Sequence, residues 1–261
     1  GSSLAISFVK RGANVYVVDN LTPSQGGNLF NISPVKGKIK INLSDIRDEL
    51  AVRQLVKEKD FIFHLARQTD HVLSLKDPYV DIDVNIRGTT ILLEACRKYN
   101  PNVKFIYIGT RGQYGKAVKL PVSEDAATNP KGIYEVTNLA AEKIVQIYND
   151  IHKIKSIMLR LTNIYGPRSQ MKHNRYGVVN WFIRLAMDGN SIPIFGDGSL
   201  KRDFLYNEEA VEAMINCSIS KNCYGQIINI GKDKAETILG LVKEIIKASG
   251  KGSFILTPFS P

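Results

Sequence analysis

The chain has 261 residues, 44% of them hydrophobic and 23% charged, which is the composition of a globular protein with ample apolar surface to bury. Its net charge of +10, from 35 basic and 25 acidic residues, is spread along the chain. No base-stacking or groove-reading motif accompanies it, so the charge points away from nucleic acid and towards a small phosphate-bearing ligand. No apolar run is long enough to span a bilayer and no signal-peptide pattern opens the chain. Cys96, Cys217 and Cys223 have no partners at zinc-ligand spacing. No metal site is expected, and the chain reads as a cytoplasmic protein with reduced thiols.

In chain order, a helix is predicted over 3–11, then strands over 15–19 and 38–42, a helix over 48–59 and a strand over 61–66. A helix over 83–98, a strand over 104–110, a helix over 135–150 and a strand over 156–165 follow. From Gly166 to about Arg202 the alternation breaks into a polar, loop-rich stretch with one helix, 178–188. A loop region of this size is commonly functional, and it is expected to cover whatever binds at the strand ends. Helices over 208–218 and 237–248 flank a last strand, 226–230. Alternating strands and helices predict a parallel sheet covered on both faces. Near-continuous apolar runs such as "VYVV" and "FIYI" suit strands buried on both sides.

Two stretches carry chemistry. "GSSLAISFVKRGANVYVVDN" reads as a helix, then a strand ending in Asp19. In a dinucleotide-binding βαβ unit an acid about 20 residues after the glycine motif binds the adenosine ribose. Asp19 has that spacing if Gly1 is the last glycine of the loop; otherwise it is a turn residue at a strand end. "PKGIYEVTNLAAEKIV" places Tyr134 in the first turn of a helix, with Asn138 one turn on along the same face. A tyrosine has an unperturbed pKa of about 10. To act as a base near neutral pH it needs a nearby cation, and Asn138 is not one.

The segments "VVDNL", "SDIRD", "FHLARQ", "VNIRGTTILLEA", "FIYIGTRGQYG", "IYEVTNLAAEK", "LRLTNIYGPR" and "IFGDGSLKRDF" occur in that order. Together they resemble the extended short-chain dehydrogenase/reductase family, in particular its NAD-dependent nucleotide-sugar epimerases and dehydratases. The resemblance implies an α/β Rossmann-type, doubly wound parallel sheet with a smaller substrate-binding lobe. It divides the chain into an NAD-binding domain over 1–165, to which the strand at 226–231 returns, and a mainly substrate-binding lobe over 166–261. It also implies a chain clipped at both ends, with the first strand and earlier glycines before Gly1. Lacking that central strand, this chain alone is expected to fold poorly, with strand edges unpaired.

The resemblance also assigns roles to matching residues. Gly1 ends the phosphate loop. Asp19, with Asn20 beside it, holds the ribose hydroxyls and favours NAD over NADP. Asp45 and Ile46 flank the adenine, and Leu65, Ala66, Arg67 and Gln68 line the cofactor, Arg67 departing from the small residue usual there. Asn85 touches the cofactor side and Thr162 lies near the nicotinamide. Thr110 binds the reacting sugar hydroxyl, Tyr134 matches the tyrosine of Y-x-x-x-K, and Asn138 takes the lysine position. Arg111 and Asn163 face substrate, and Arg202 clamps the pyrophosphate.

For the reaction, the resemblance implies hydride exchange between a sugar carbon and NAD through a transient keto-sugar, as in UDP-glucose 4-epimerase. Dehydratases of the family commonly carry Asp-Glu directly after the catalytic threonine; here Arg111 and Gly112 follow Thr110, which points to epimerisation. A dehydratase, reductase or decarboxylase of the same fold remains the alternative. Three accounts of Asn138 stand open: a substitute cation (Arg67, Arg111 or Lys131), a weakened NAD or nucleotide-sugar binder, or a one-base misreading of a lysine codon. A homodimer is expected, because the helices over 83–98 and 135–150 are apolar on more than one face.

Overall fold

A computed structural model describes residues 1–22 and 25–258. The chain opens with α1 (Ser2–Lys10), β1 (Val15–Val18), a 3-10 run (Leu29–Lys38), β2 (Ile39–Asn42), α2 (Glu49–Leu55) and β3 (Phe61–His64). Then come α3 (His71–Lys76), α4 (Pro78–Asp81), a π-helical segment (Ile82–Gly88), α5 (Thr89–Tyr99), β4 (Lys104–Thr110), α6 (Ile133–His152) and β5 (Lys155–Leu161). The remainder holds β6 (Asn163–Tyr165), α7 (Val178–Met187), β7 (Ser191–Phe195), β8 (Lys201–Arg202), β9 (Phe204–Tyr206) and α8 (Asn207–Ile219). It ends with β10 (Ile227–Ile230), β11 (Glu236–Thr237), α9 (Ile238–Ser249) and β12 (Ser253–Thr257).

Two compact units divide this chain: residues 1–161 with 211–230, and residues 162–210 with 231–261. Thr162 to Tyr165 lie in the second unit, and residues 211–230, which hold most of α8 and β10, lie in the first.

In the first unit, β10, β5, β4 and β3 form a parallel sheet in that order. Residues of α2, α5 and α6 pack with it around Leu93, Cys96, Phe105, Tyr107, Val145 and Met158. These side chains recur at helical spacing on α5 and α6 and at alternate positions on β4, which is how each element turns one face to a shared core. β1 and β2 form a separate parallel pair. Their helix, α1, packs Ile6 against Ile32 and Val35 of the 3-10 run and brings the Phe8 ring within 5.1 Å of Phe63 on β3. β4 and β5 are almost wholly buried, whereas β1 and β3 are mostly half-buried.

Local chemistry sets the helix starts. Asp48 caps α2 by accepting from Leu50 and Ala51 N–H, and Asp70 caps α3 by accepting from Val72 and Leu73 N–H. The predicted helix over 83–98 divides, its first part taking π-helical hydrogen bonding before α5 begins. Such widened turns cluster at functional sites, and this one carries Asn85.

In the second unit, β7 and β12 pair in parallel under α7 and α9, with Phe182, Ala186, Ile192, Ile194 and Val242 at the centre. β6 pairs with β9 and β8 with β11. The predicted strand over 156–165 therefore ends at Leu161, and its last residues pair with Phe204–Tyr206 instead. The stretch expected to be loop-rich holds β7, β8 and the partner strand leading to α8.

Candidate active site

The loops after the strands of the first unit carry most of the candidate residues, as expected of an open parallel α/β sheet. Gly1 is the N-cap of α1, with no side-chain cap, and a Cβ there would meet nothing within 4 Å. Asp19 follows β1 with an exposed carboxylate, whose Oδ1 accepts from Leu21 N at 2.8 Å. Asn20 Nδ2 donates to Asp45 Oδ2 at 2.8 Å, which joins the loops after β1 and β2. Arg47 grips Asp45 through two bonds of 2.8 Å. Its side-chain hydrogen bonds hold the Asp45 carboxyl well below the usual carboxylate range, reinforced by the bond from Asn20. Ile46 lies against Gly88, where an added Cβ would come within 2.6 Å of Ile46 Cδ1.

The loop after β3 is tied inward. Leu65 and Ala66 are half-buried. Gln68 is buried, and its Nε2 donates to Asp70 O, Ser74 Oγ and Asp81 Oδ2. Asn85 is fully buried; its Oδ1 accepts from Gln68 N at 3.0 Å and its Nδ2 donates to Thr137 Oγ1 on α6 at 3.1 Å. These bonds of Gln68 and Asn85 brace the loop after β3. Gln25 links the loops after β1 and β3, donating to Gln68 Oε1 at 3.2 Å and accepting from Thr69 N.

Tyr134 stands in the first turn of α6, half-buried, with the Thr110 side chain among the groups that act on its phenol. Burial pushes the phenol above its ordinary pKa; the Arg67 charge and the Thr110 hydrogen bond pull it down, while Glu135 and Asp81 push it further up. The His71 ring meets the Tyr134 ring edge-on at 4.6 Å, and its Nδ1 lies 3.2 Å from Glu135. That hydrogen bond is the main cause of a lowered Glu135 pKa. Asn138 is fully buried; its Nδ2 donates to Tyr134 O at 2.7 Å and its Oδ1 has no protein partner.

Of the three possible substitute cations, Arg111 and Lys131 are exposed and Arg67 is half-buried. Arg67 Nε donates to Ile108 O at 2.8 Å and Nη1 to Tyr107 Oη at 2.9 Å. Thr110 also shapes the next turn by accepting from Gly112 N at 3.1 Å. Gly115 follows at φ 64°, where a Cβ would stand 2.0 Å from Asn129 O, so the turn requires glycine.

In the second unit, Thr162 Oγ1 and Asn163 Nδ2 both donate to Asp203 O, at 3.0 and 2.8 Å. The Asp203 carboxylate accepts from Lys232 N. Arg202, beside Asp203 on β8, is half-buried and pairs in register with Glu236. Thr162 and Asn163 are thus bound to the main chain next to Arg202.

Two side chains beside Tyr134 escape the sequence reading. Tyr107 lies inside an apolar strand run, and His71 is a lone histidine far from Tyr134 in sequence; neither carries a local signal. Among the described residues no cluster of three or more His, Cys, Asp or Glu could hold a metal ion, and no helix is long and apolar enough to cross a membrane.

A parallel sheet of this topology, with helices packed on it, is a Rossmann-type α/β fold. The family model for the NAD dependent epimerase/dehydratase family matches residues 1–231, and the chain belongs to that family. NAD is the cofactor of that family. The chain is 31% identical over 233 residues to UDP-glucose 4-epimerase of Mycolicibacterium smegmatis, covering 88% of this chain and 73% of that one. It is 32% identical over 267 residues to UDP-N-acetyl-alpha-D-glucosaminuronate decarboxylase of Bacillus cytotoxicus, covering 99% and 80%. Among solved structures, UDP-glucose 4-epimerase of Thermotoga maritima with UDP-glucose superposes with a TM-score of 0.91 at 29% identity, covering 100% of this chain and 82% of that one.

Proposed function

We propose that this protein epimerises a nucleotide-diphosphate sugar through a transient keto-sugar. The observation that carries the reading is Tyr134 in the first turn of α6 with Thr110 at the end of β4, Thr110 being followed by Arg111 and Gly112 rather than by carboxyl groups. Tyr134 moves a proton to and from a sugar hydroxyl that Thr110 orients. Arg111 and Gly112, on the turn after Thr110, supply no acid/base pair for eliminating water from the ketone. NAD, when bound, accepts and returns the hydride at the sugar carbon. The residues fit such a cofactor. Asp19 ends β1 with an exposed carboxylate, and Asn138 Oδ1 and Arg67 Nη2 are buried polar atoms without protein partners. Arg202 is the candidate for the substrate pyrophosphate, and Asn163 for the sugar, on the strength of the motif match.

Incubating the protein with NAD⁺ and a panel of UDP- and dTDP-sugars tests this. Epimerisation gives a product of unchanged mass and altered sugar NMR spectrum. Loss of water or of carbon dioxide would instead assign the dehydratase or decarboxylase reaction. A shift in melting temperature without any product would mark a binder.

Asp19 should select the cofactor, because its carboxylate repels a 2′-phosphate. Titration should show NAD binding at least about tenfold tighter than NADP, and equal affinities would remove Asp19 from this role. A second copy of the chain is the partner we infer for the outer side of α6, where Val136, Ile147 and Ile151 are exposed. Light scattering should give the dimer mass, and a monomer across the working concentration range would reject it. The free thiols of Cys96, Cys217 and Cys223 suit a reducing cytoplasm, the fraction in which cell fractionation should find the protein.

A further inference from the structure

A tyrosine acting as a base needs a positive charge close by, and position 138 of α6 does not provide one. The side chain of Asn138 donates to Tyr134 O and carries no charge. The structure offers a cation from a different element. β3 and β4 run parallel with His64 opposite Tyr107, so the chain leaving β3 passes Ile108 and heads towards Thr110 at the end of β4. Arg67 sits on that path. Its guanidinium carbon is 4.0 Å from the centre of the Tyr107 ring. Its Nε is fixed by Ile108 O and its Nη1 by Tyr107 Oη. Tyr107 Oη in turn donates to Asn138 O at 2.7 Å, so Arg67 is held to the same turn of α6 that carries Tyr134. The third nitrogen, Nη2, is buried with no hydrogen-bond partner.

No carboxylate among the described residues forms an ion pair with this guanidinium; its contacts are a carbonyl, a phenol and a ring face. A partly buried cation held only by neutral groups has no carboxylate neutralising it and can act on an anion that forms nearby. We infer that Arg67 supplies the positive charge that stabilises ionised Tyr134, a task divided off from residue 138 and delivered from the loop after β3. This rests on the reading of Tyr134 as the proton-transfer group. The direction of Arg67's effect on the Tyr134 phenol agrees. The other groups that face the phenol are accounted for. Glu135 on its own helix and Asp81 on α4 oppose ionisation, Thr110 on β4 favours it by a hydrogen bond, and His71 on α3 presents a ring edge. Arg67 is the one permanent cation in that group.

The test reads Tyr134 ionisation directly, without substrate, from the NMR shift of 13Cζ-labelled tyrosine, with Tyr134→Phe identifying the signal. Arg67→Gln should raise the midpoint by about one pH unit or more, since the loss of a nearby opposite charge typically shifts a pKa by about 1–3 units. Arg67→Lys should keep most of the wild-type midpoint. Asn138→Lys should restore the midpoint in the Arg67→Gln background and add little to the native one. The pH at which kcat/KM rises should follow the same order. An unmoved midpoint in Arg67→Gln overturns the inference. If Arg67→Gln fails to fold, Asn138→Lys decides alone: a fall of a full unit in the native background would mean that the site lacked its cation. The two readings fail separately. A protein that turns over no nucleotide sugar, yet shows the Arg67-dependent midpoint, loses the proposed reaction and keeps this electrostatic assignment.

Discussion

Tyr134→Phe should abolish turnover of nucleotide sugars while leaving NAD affinity nearly unchanged. The substitution removes one oxygen, the atom that carries the proton, and leaves the ring that His71 meets edge-on. General acid–base catalysis contributes typically about 10²–10⁴-fold, and a loss of at least that size in kcat is expected. Thr110 would keep its bond to Gly112 N, so the turn after β4 should hold its shape. Steady-state kinetics and NAD titration on the purified variant check both halves. Full activity would mean that another group takes the proton. The wild-type rate should climb with pH, because burial raises the Tyr134 pKa and the ionised form gains population only on the alkaline side.

The largest expected loss of stability lies away from the chemistry. Arg160 on β5 and Glu142 on α6 form a two-pronged ion pair, 2.9 and 2.6 Å, with side chains only 2% and 0% exposed. The guanidinium also lies 4.6 Å over the Tyr114 ring. Removing one partner strands a buried charge, which typically costs about 3–5 kcal/mol. Glu142→Gln or Arg160→Met should therefore lower the denaturation midpoint strongly. The double variant Glu142→Leu/Arg160→Met, which strands nothing, should be clearly more stable than either single variant. Denaturant unfolding of the three proteins checks this; additive losses would show that the pair is not coupled.

The first unit was largely legible in the sequence because its signals are local. "FIYIGT" is a complete apolar strand bounded by a threonine, and the structure places β4 over Lys104–Thr110, the predicted range. Tyr134 falls in the first turn of α6 because Gly132 takes an extended conformation and hands over to helix formers. The second unit was less legible. β7 pairs with β12 across some sixty residues of chain, and β7 carries Pro193, which argues against a strand by propensity. In the site, spacing picked out Asp19, the helix start picked out Tyr134 and the family resemblance picked out Thr110, while the burial of Gln68 and Asn85 involves Asp81, Ser74 and Thr137 from other segments. Arg67 was visible as an odd residue in "HLARQ", and only the folded loop after β3 brings its guanidinium to Tyr107 and Ile108.

The hydrogen bond from Tyr107 to the main-chain carbonyl of residue 138 has an evolutionary side. It anchors the start of α6 through an atom that every amino acid possesses. Side chains at 138 can therefore be exchanged in descent without shifting the helix, provided they fit the buried space. A lineage with a spare cation on the loop after β3 is released from keeping one at 138. On the inference drawn for Arg67, the proton-transfer group and the source of its charge come from two separate segments, the start of α6 and the loop after β3, and each can change without the other.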